Sequence, residues 1–320
     1  MASGVLGLKI ADRTFRFVHL ERYDNGLRLT GAGAGLLPFT AKHRGQIRTT
    51  GSDDLVRSLE RAVERAGVTG GVCTLVLDSR AVQRTILHLP ADLSGSADLA
   101  ARVEAEIRRR TGAGPEELFC RFCERGVVDG IVQVDAWGVW REVQDGFRQV
   151  VEAAGYEVAE WDCDGWALHR LGEYRTGTDT AELTAIVHSE AESLECALAG
   201  ASCFAGATVL QSPAKGSWRR SWDPDNTTEV AAEILYWTER LLQRCGRGFD
   251  AVSRIILTGS VEEPERLLGA LVSRTPARTE ILALEDLFTI DSDLADTPLL
   301  RSNLGSFALP AGGALAGFPH

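Results

Sequence analysis

The chain has 320 residues, of which 44% are hydrophobic and 25% charged, a balance typical of globular proteins with enough apolar mass for two domains. Its formal net charge of −11 argues against a nucleic-acid partner, because nucleic-acid-binding proteins expose a basic face. No apolar run approaches the roughly 20 residues of a membrane-spanning helix, and the opening MASGVLGLKI lacks the pattern of a signal peptide. We therefore expect a cytoplasmic protein that reaches a membrane only through a partner.

The first part of the sequence predicts three strands, a helix and a fourth strand. VLGLKI and FRFVHLERY predict a hairpin whose polar turn contains Asp12 and Arg13, and LRLTGAGAGLL predicts the third strand. SDDLVRSLERAVERAG places its apolar residues on one face of a helix that ends at Gly67. The apolar run GVCTLVLD is typical of a buried parallel strand.

The same order of patterns returns in the second half of the sequence. LTAIVHS, SLECALAG and SCFAGATVL predict three strands, TTEVAAEILYWTERLLQRCG a helix and VSRIILTGS the next strand. Each copy closes with a further helix and strand. Right-handed crossovers turn each copy into a mixed five-stranded sheet with helices against it. The sequence therefore predicts a duplicated α/β fold with halves at residues 1–175 and 176–320.

Two segments stand apart from this repeat. DLAARVEAEIRRRTG predicts a helix, and LFCRFCERG and IVQVDAWG predict a hairpin, so we expect a small inserted α/β subdomain over residues 86–137. A polar loop and the helix after it, residues 211–246, form the outer part of the second half. Trp218 and Trp222 lie beside two arginines in this loop, as in an interface hot spot or as buried anchors of the loop itself.

The positions of cysteine and histidine do not predict a metal site. Cys120 and Cys123 form a C-x-x-C without a second ligand pair, on a predicted strand that would turn the two sulfurs to opposite faces. None of the six histidines lies one helical turn from another histidine. We therefore predict that the protein holds no metal ion.

The order and spacing of these segments resemble the PilM family, the actin-like cytoplasmic proteins of type IV pilus assembly. GVLGLKIADRTFRFVHL is similar to that family's opening hairpin, IILTGSVEEPERLLGAL to its adenosine-side turn, and GSFALPAGGALAG to its C-terminal segment. The resemblance spans the chain and implies the actin-like (ASKHA) fold, with an inserted subdomain placed as in FtsA and PilM. The cytoplasmic part of the type II secretion GspL proteins has the same pattern but continues into a membrane helix. Because this sequence ends without one, we expect the PilM-like relationship.

By resemblance, members of this fold that bind ATP use two glycine-bearing hairpins with an aspartate in each for Mg²⁺. Here Lys9 and His188 stand at the aspartate positions, and Ala11 and Glu190 at the glycine positions. A lysine at about 4 Å opposes a divalent ion by several kcal/mol, and side chains in these turns obstruct the phosphates. We therefore predict that Mg·ATP hydrolysis is lost and that no cofactor is needed.

The resemblance thus implies a degenerate nucleotide cleft without catalytic residues. Its members are Lys9, Asp12, Arg13, His188, Glu233, Gly259 and Ser260. Two other roles for the basic residues stay open. Lys9 and Arg13 can pair with phosphate without a metal, or Lys9 can extend to solvent.

The function implied by the resemblance is that of an adaptor that captures the N-terminal cytoplasmic peptide of a PilN-type membrane partner. We expect the groove between the first-half core and the inserted subdomain to hold this peptide, bordered by Leu87, Leu89 and Pro90. Self-association into a dimer or ring is a further expectation. Two alternatives stay open, an ATP-binding protein or weak ATPase that uses Mg·ATP, and the cytoplasmic part of a GspL-like protein. A sugar-kinase-type enzyme is disfavoured by the missing aspartates.

Overall fold

The computed structural model describes most of the chain. The described residues are 4–11, 14–24, 26–36, 52–79, 81–177, 182–190, 193–200, 208–211, 227–244, 246–259, 264–295 and 304–318. The predicted site residues that lie outside them are Asp12, Arg13, Trp218, Trp222 and Ser260.

The described elements alternate between strands and helices. In chain order they are β1 (Gly4–Ile10), β2 (Thr14–Tyr23), β3 (Gly26–Leu36), α1 (Ser52–Arg65), β4 (Gly71–Leu77), β5 (Gln83–Pro90), α2 (Ala97–Thr111), β6 (Leu118–Val128), β7 (Ile131–Trp140), α3 (Arg141–Ala153), β8 (Tyr156–Cys163), α4 (Asp164–Thr176), β9 (Leu183–Glu190), β10 (Ser193–Ala199), β11 (Thr208–Gln211), α5 (Thr227–Arg244), β12 (Val252–Gly259), α6 (Pro264–Val272), β13 (Arg278–Ile281), β14 (Thr289–Ile290), α7 (Ser292–Ala295) and α8 (Ala308–Leu315).

The strands form two large mixed sheets with the same internal order. The first sheet runs β14-β3-β2-β1-β4-β8 and the second β11-β10-β9-β12-β13. In each sheet the first strand of the copy is antiparallel to the second and parallel to the fourth. The predicted duplication of the α/β fold is therefore confirmed. The two-residue strand β14 comes from the second half of the sequence and pairs with β3 at Arg28 and Leu29.

The inserted subdomain is a three-stranded antiparallel sheet of order β5-β7-β6 with α2 packed on one face. Its elements run from Gln83 to Trp140, slightly wider than the predicted 86–137. Because side chains alternate along a strand, Leu87 and Leu89 point towards α2 and are 1% and 7% exposed, whereas Pro90 is exposed. The two leucines therefore pack the subdomain core, and their predicted place at the border of a peptide groove stays a prediction.

Helices α4 and α8 join the two large sheets into one core. Strand β1, strand β9 and these two helices contribute to a single buried apolar cluster, whose members include Val5, Leu168, Ile186 and Leu309. The outer face of the first sheet is covered by α1 and α3, and that of the second by α5 and α6. Over the described ranges, no helix combines the length and the apolar character needed to cross a membrane.

Candidate functional site

The ends of β1, β4, β9 and β12 meet α4 in a cleft between the two large sheets, where the degenerate nucleotide site was predicted. Lys9 lies near the end of β1, His188 near the end of β9 and Gly259 at the end of β12. Asp164 is the first residue of α4. The structure therefore brings together the described members of the predicted cleft, with the exception of Glu233.

Lys9 does not extend to solvent, contrary to one of the sequence interpretations. Its side chain is 2% exposed and pairs directly with the Asp164 carboxylate, while its Nζ lies 4.0 Å from Oδ2 of Asp78. Burial opposes the charged form, but Asp164 and Asp78 outweigh it and raise the pKa of Lys9. The Lys9 ammonium is therefore a fixed internal cation of the cleft.

A second carboxylate is linked to the first through Ser79. The Ser79 backbone N–H donates to Oδ2 of Asp164 at 3.0 Å, and its hydroxyl donates to Oε1 of Glu195 at 2.6 Å. Burial raises the pKa of Asp164 to about 6 even though Lys9 opposes the rise. Burial, with the charge of Asp164, also raises the pKa of Glu195 well above its usual value. The hydrogen bonds of Ser79 thus join the end of the first sheet to β10 of the second.

Glu190, at the end of β9, is paired across the cleft. Its Oε1 lies 3.0 Å from Nη1 of Arg16 on β2 and 3.5 Å from Nε2 of His188. Burial opposes ionisation, but the neighbouring His188, Lys9 and Arg16 lower the pKa of Glu190. His188 is 2% exposed, and neither of its ring nitrogens makes a hydrogen bond of normal geometry with the described residues.

Gly259 has a packing explanation that involves no nucleotide. Its φ of +99° favours glycine, and a Cβ there would lie 2.0 Å from the backbone oxygen of Ser189. The neighbouring Thr258 hydroxyl donates to the Gly305 backbone oxygen at 2.9 Å. Glycine at this position therefore permits β12 to end against β9.

Glu233 lies apart from the cleft residues. It is half-buried on α5, where burial raises its pKa and a hydrogen bond with Trp237 opposes the rise. Among the described residues, its hydrogen-bond partner is Trp237, and no hydrogen bond or ion pair joins it to Lys9 or His188. Its predicted role towards a nucleoside stays a prediction.

The sequence analysis missed the carboxylates that surround Lys9. Asp78 and Asp164 directly follow the buried strands β4 and β8, so an acid at each strand end was the available signal. Glu195 on β10 is directly opposite His188 on β9 in the antiparallel register, so both side chains lie on one face of the second sheet. The described part of the cleft therefore holds Asp78, Asp164, Glu190 and Glu195 against the cations Lys9 and Arg16.

The described charges of this arrangement have partners within the protein. Lys9 and Arg16 are paired with acids of the protein, and Arg84, whose charge also acts on Glu195, pairs with Asp135. In the described part of the chain, no group of three His, Cys, Asp or Glu side chains is arranged to hold a metal ion.

Comparison with known proteins finds similarity in structure. No protein-family model matches the chain, and no curated protein matches it in sequence. A chain of the PilM-PilN type IV pilus biogenesis complex is 17% identical with a TM-score of 0.74 and 99% of each chain covered. The ethanolamine utilization protein EutJ from Carboxydothermus hydrogenoformans is 10% identical with a TM-score of 0.51, covering 98% of this chain and 89% of that one. The chain has the actin-like fold that the sequence predicted.

Proposed function

We propose that this actin-like chain is a non-catalytic cytoplasmic scaffold of a type IV pilus or related secretion complex. In this proposal it binds the cytoplasmic segment of a PilN-type inner-membrane protein and is held at the membrane by that partner. The observation that carries the non-catalytic part is the buried pair of Lys9 and Asp164, which occupies the predicted nucleotide cleft with the protein's own charges. The likeness to a chain of the PilM-PilN complex over 99% of both chains supports the partner class.

The inserted subdomain supports binding of an extended peptide. Strand β5 is at the edge of its sheet, and its other side pairs with β7. His88 and Pro90 are exposed on the face of β5 opposite to the buried Leu87 and Leu89. The two leucines fix the strand in its sheet, so the exposed residues and the backbone groups that no described strand pairs with are available to a peptide that adds as a further strand.

The binding experiment uses the full chain and a synthetic peptide. The peptide reproduces the N-terminal cytoplasmic segment of a PilN-type membrane protein, and isothermal titration measures its Kd. We expect His88→Glu to weaken binding at least tenfold, because it places a charge at the peptide edge. Val127→Glu is the matched control, since Val127 is 50% exposed on β6 at the opposite edge. Absence of binding to the wild-type chain, or equal loss in both variants, would refute this role of β5.

A second titration tests the cleft separately from the peptide. We expect Mg·ATP at millimolar concentration to release no binding heat and to leave the melting temperature unchanged, because the cations of the cleft are already paired. A rise in melting temperature that depends on both Mg²⁺ and ATP would contradict the non-catalytic proposal and leave the peptide experiment untouched.

A further inference from the structure

Among the described residues, most of β3 lies at an open edge of the first sheet, one strand away from Arg16 of the cleft, which is opposite Ala34 in the register of β2 and β3. Strand β14 pairs with β3 only at Arg28 and Leu29. From Gly31 to Leu36, no described strand lies on the side of β3 opposite to β2. The outward backbone N–H and C=O groups of this stretch therefore have no strand partner within the described residues.

This edge lacks the usual features that prevent a strand from pairing with another chain. Proteins commonly protect an edge with a charged residue, a proline or a β-bulge. The sequence from Gly31 to Leu36 is GAGAGL, and its pairing with β2 is regular over this stretch, although the register of the two strands shifts just before it, at Thr30. Leu36 is 75% exposed. An unprotected edge of this kind is typical of a surface that a partner strand covers.

The glycines of β3 keep this edge flat for a structural reason. The rings of Phe17 and Phe15 lie over Gly33 and Gly35, where an added Cβ would come within 2.5 Å and 2.4 Å of the rings. Both phenylalanines are buried in the core between the first sheet and α1. The alternating glycines thus give space to the core and leave β3 without bulky side chains on that face.

A groove runs between this edge and α1. Its volume is about 360 Å³, and its walls include Ala34, Gly35 and Leu36 of β3, with one aspartate, Asp54, and three arginines, Arg57, Arg61 and Arg65, of α1. The three arginines are exposed and four residues apart, so they form one row on the helix. Arg57 pairs with Asp54, whereas Arg61 and Arg65 have no ion pair within the described part of the chain. The groove is therefore basic in a protein of net charge −11.

The spacing of the arginines fits an extended chain. Four residues of an α-helix rise about 6 Å, and two residues of a β-strand rise about 6.8 Å. A strand added to β3 would thus present every second side chain at nearly the spacing of Arg57, Arg61 and Arg65. Acidic residues at alternate positions are the side chains that match this row.

We propose that the edge of β3 and the arginine row of α1 bind an extended acidic segment of a partner protein by strand addition. In sequence, residues 37–51 contain Lys42, Arg44 and Arg48 and no Asp or Glu, so their charge does not match the arginine row. The surface differs from the β5 edge of the proposed function. A scaffold that uses both surfaces would bind two partners at once.

The probe for this surface is a fluorescein-labelled peptide that alternates glutamate and valine over six residues. Fluorescence anisotropy with the full chain at low ionic strength measures its binding, and the matching lysine–valine peptide is the charge control. We expect the acidic peptide alone to bind, with affinity that falls as salt is added. Arg61→Glu/Arg65→Glu should weaken binding at least tenfold. Arg102→Glu, which changes an exposed arginine of α2, should leave it within twofold.

A backbone-methylated version of the acidic peptide separates strand addition from simple charge attraction. We expect methylation of alternate amides to abolish binding, because it removes the donors that pair with β3. Equal binding of the methylated peptide would overturn strand addition. Equal binding of the lysine peptide, equal loss in Arg102→Glu, or tighter binding to phosphatidylglycerol vesicles than to the peptide would overturn the acidic peptide partner. Circular dichroism melts confirm that each variant is folded before it is compared.

Discussion

At the residue scale, the pair of Lys9 and Asp164 determines the charge of the cleft. Both side chains are buried, at 2% and 7% exposure. Removing one partner of a buried pair leaves an uncompensated charge and costs about 3–5 kcal/mol, whereas apolar replacement of both costs far less. We expect Lys9→Met to lower the free energy of unfolding by about 3–5 kcal/mol, and Lys9→Met/Asp164→Leu to lower it by less. Urea denaturation at pH 7 measures both, and a larger loss in the double variant would contradict the pairing.

Glu195 makes the stability of the folded chain depend on pH. Its pKa in the folded chain is raised from the usual 4.5, so wild-type stability falls as pH rises from 4.5 towards the folded pKa. Glu195→Gln keeps an oxygen that accepts from the Ser79 hydroxyl but cannot ionise. We expect the stability of the variant relative to the wild type to increase between pH 4.5 and pH 9. Denaturant midpoints across this range measure the difference, and a constant offset would show that Glu195 does not titrate in the folded chain.

At the element scale, the end of β12 depends on glycine for its backbone. Gly259→Ala would place a Cβ 2.0 Å from the Ser189 oxygen at a φ of +99°. We expect it to destabilise the chain by about 1–3 kcal/mol without any nucleotide present. Gly269 of α6 is the matched control, because nothing lies within 4 Å of its added Cβ. Gly269→Ala should stabilise the helix by about 0.5–1 kcal/mol. Equal thermal melts for the two variants would contradict the packing explanation.

Regular elements were predictable because their signals are local. The apolar stripe of α1 that includes Leu55, Leu59 and Val63 is buried as its periodicity predicted, and so are the strands β4 and β9. The direction of Leu87 and Leu89 was equally available from the two-residue period of β5, and the sequence interpretation did not apply it. The sequence pattern therefore predicted the positions of residues in strands and helices better than it predicted their roles.

The partners in the cleft were not predictable in the same way. Lys9 and Asp164 are 155 positions apart, and Ser79 and Glu195 are 116 apart. Such pairs arise only when two sheets and α4 pack together, and no local pattern records which acid meets which base. Replacement of the expected aspartate by Lys9 indicated a loss of Mg²⁺ chemistry. The structure adds that the lysine is neutralised within the protein.

At the scale of the whole molecule, the ion pair of Arg16 and Glu190 joins the first sheet to the second at 3.0 Å. These residues stand on β2 and β9, which α4 and α8 otherwise hold together through apolar packing. Arg16→Glu would set two carboxylates against each other beside the carboxylates of Asp78 and Asp164. Because like charges at this distance repel most strongly where water is scarce, we expect the two halves to separate at this pair.

Small-angle X-ray scattering tests this separation. We expect Arg16→Glu to increase the radius of gyration and the rate of proteolysis at the cleft, and 1 M salt to reduce both effects by screening the repulsion. Arg102→Glu makes the same charge change on α2, away from the cleft, and should leave both measurements at the wild-type value. An unchanged radius of gyration in Arg16→Glu would mean that α4 and α8 fix the two halves without help from charge. In that case the ion pairs of the cleft pack between the two halves but do not hold them together.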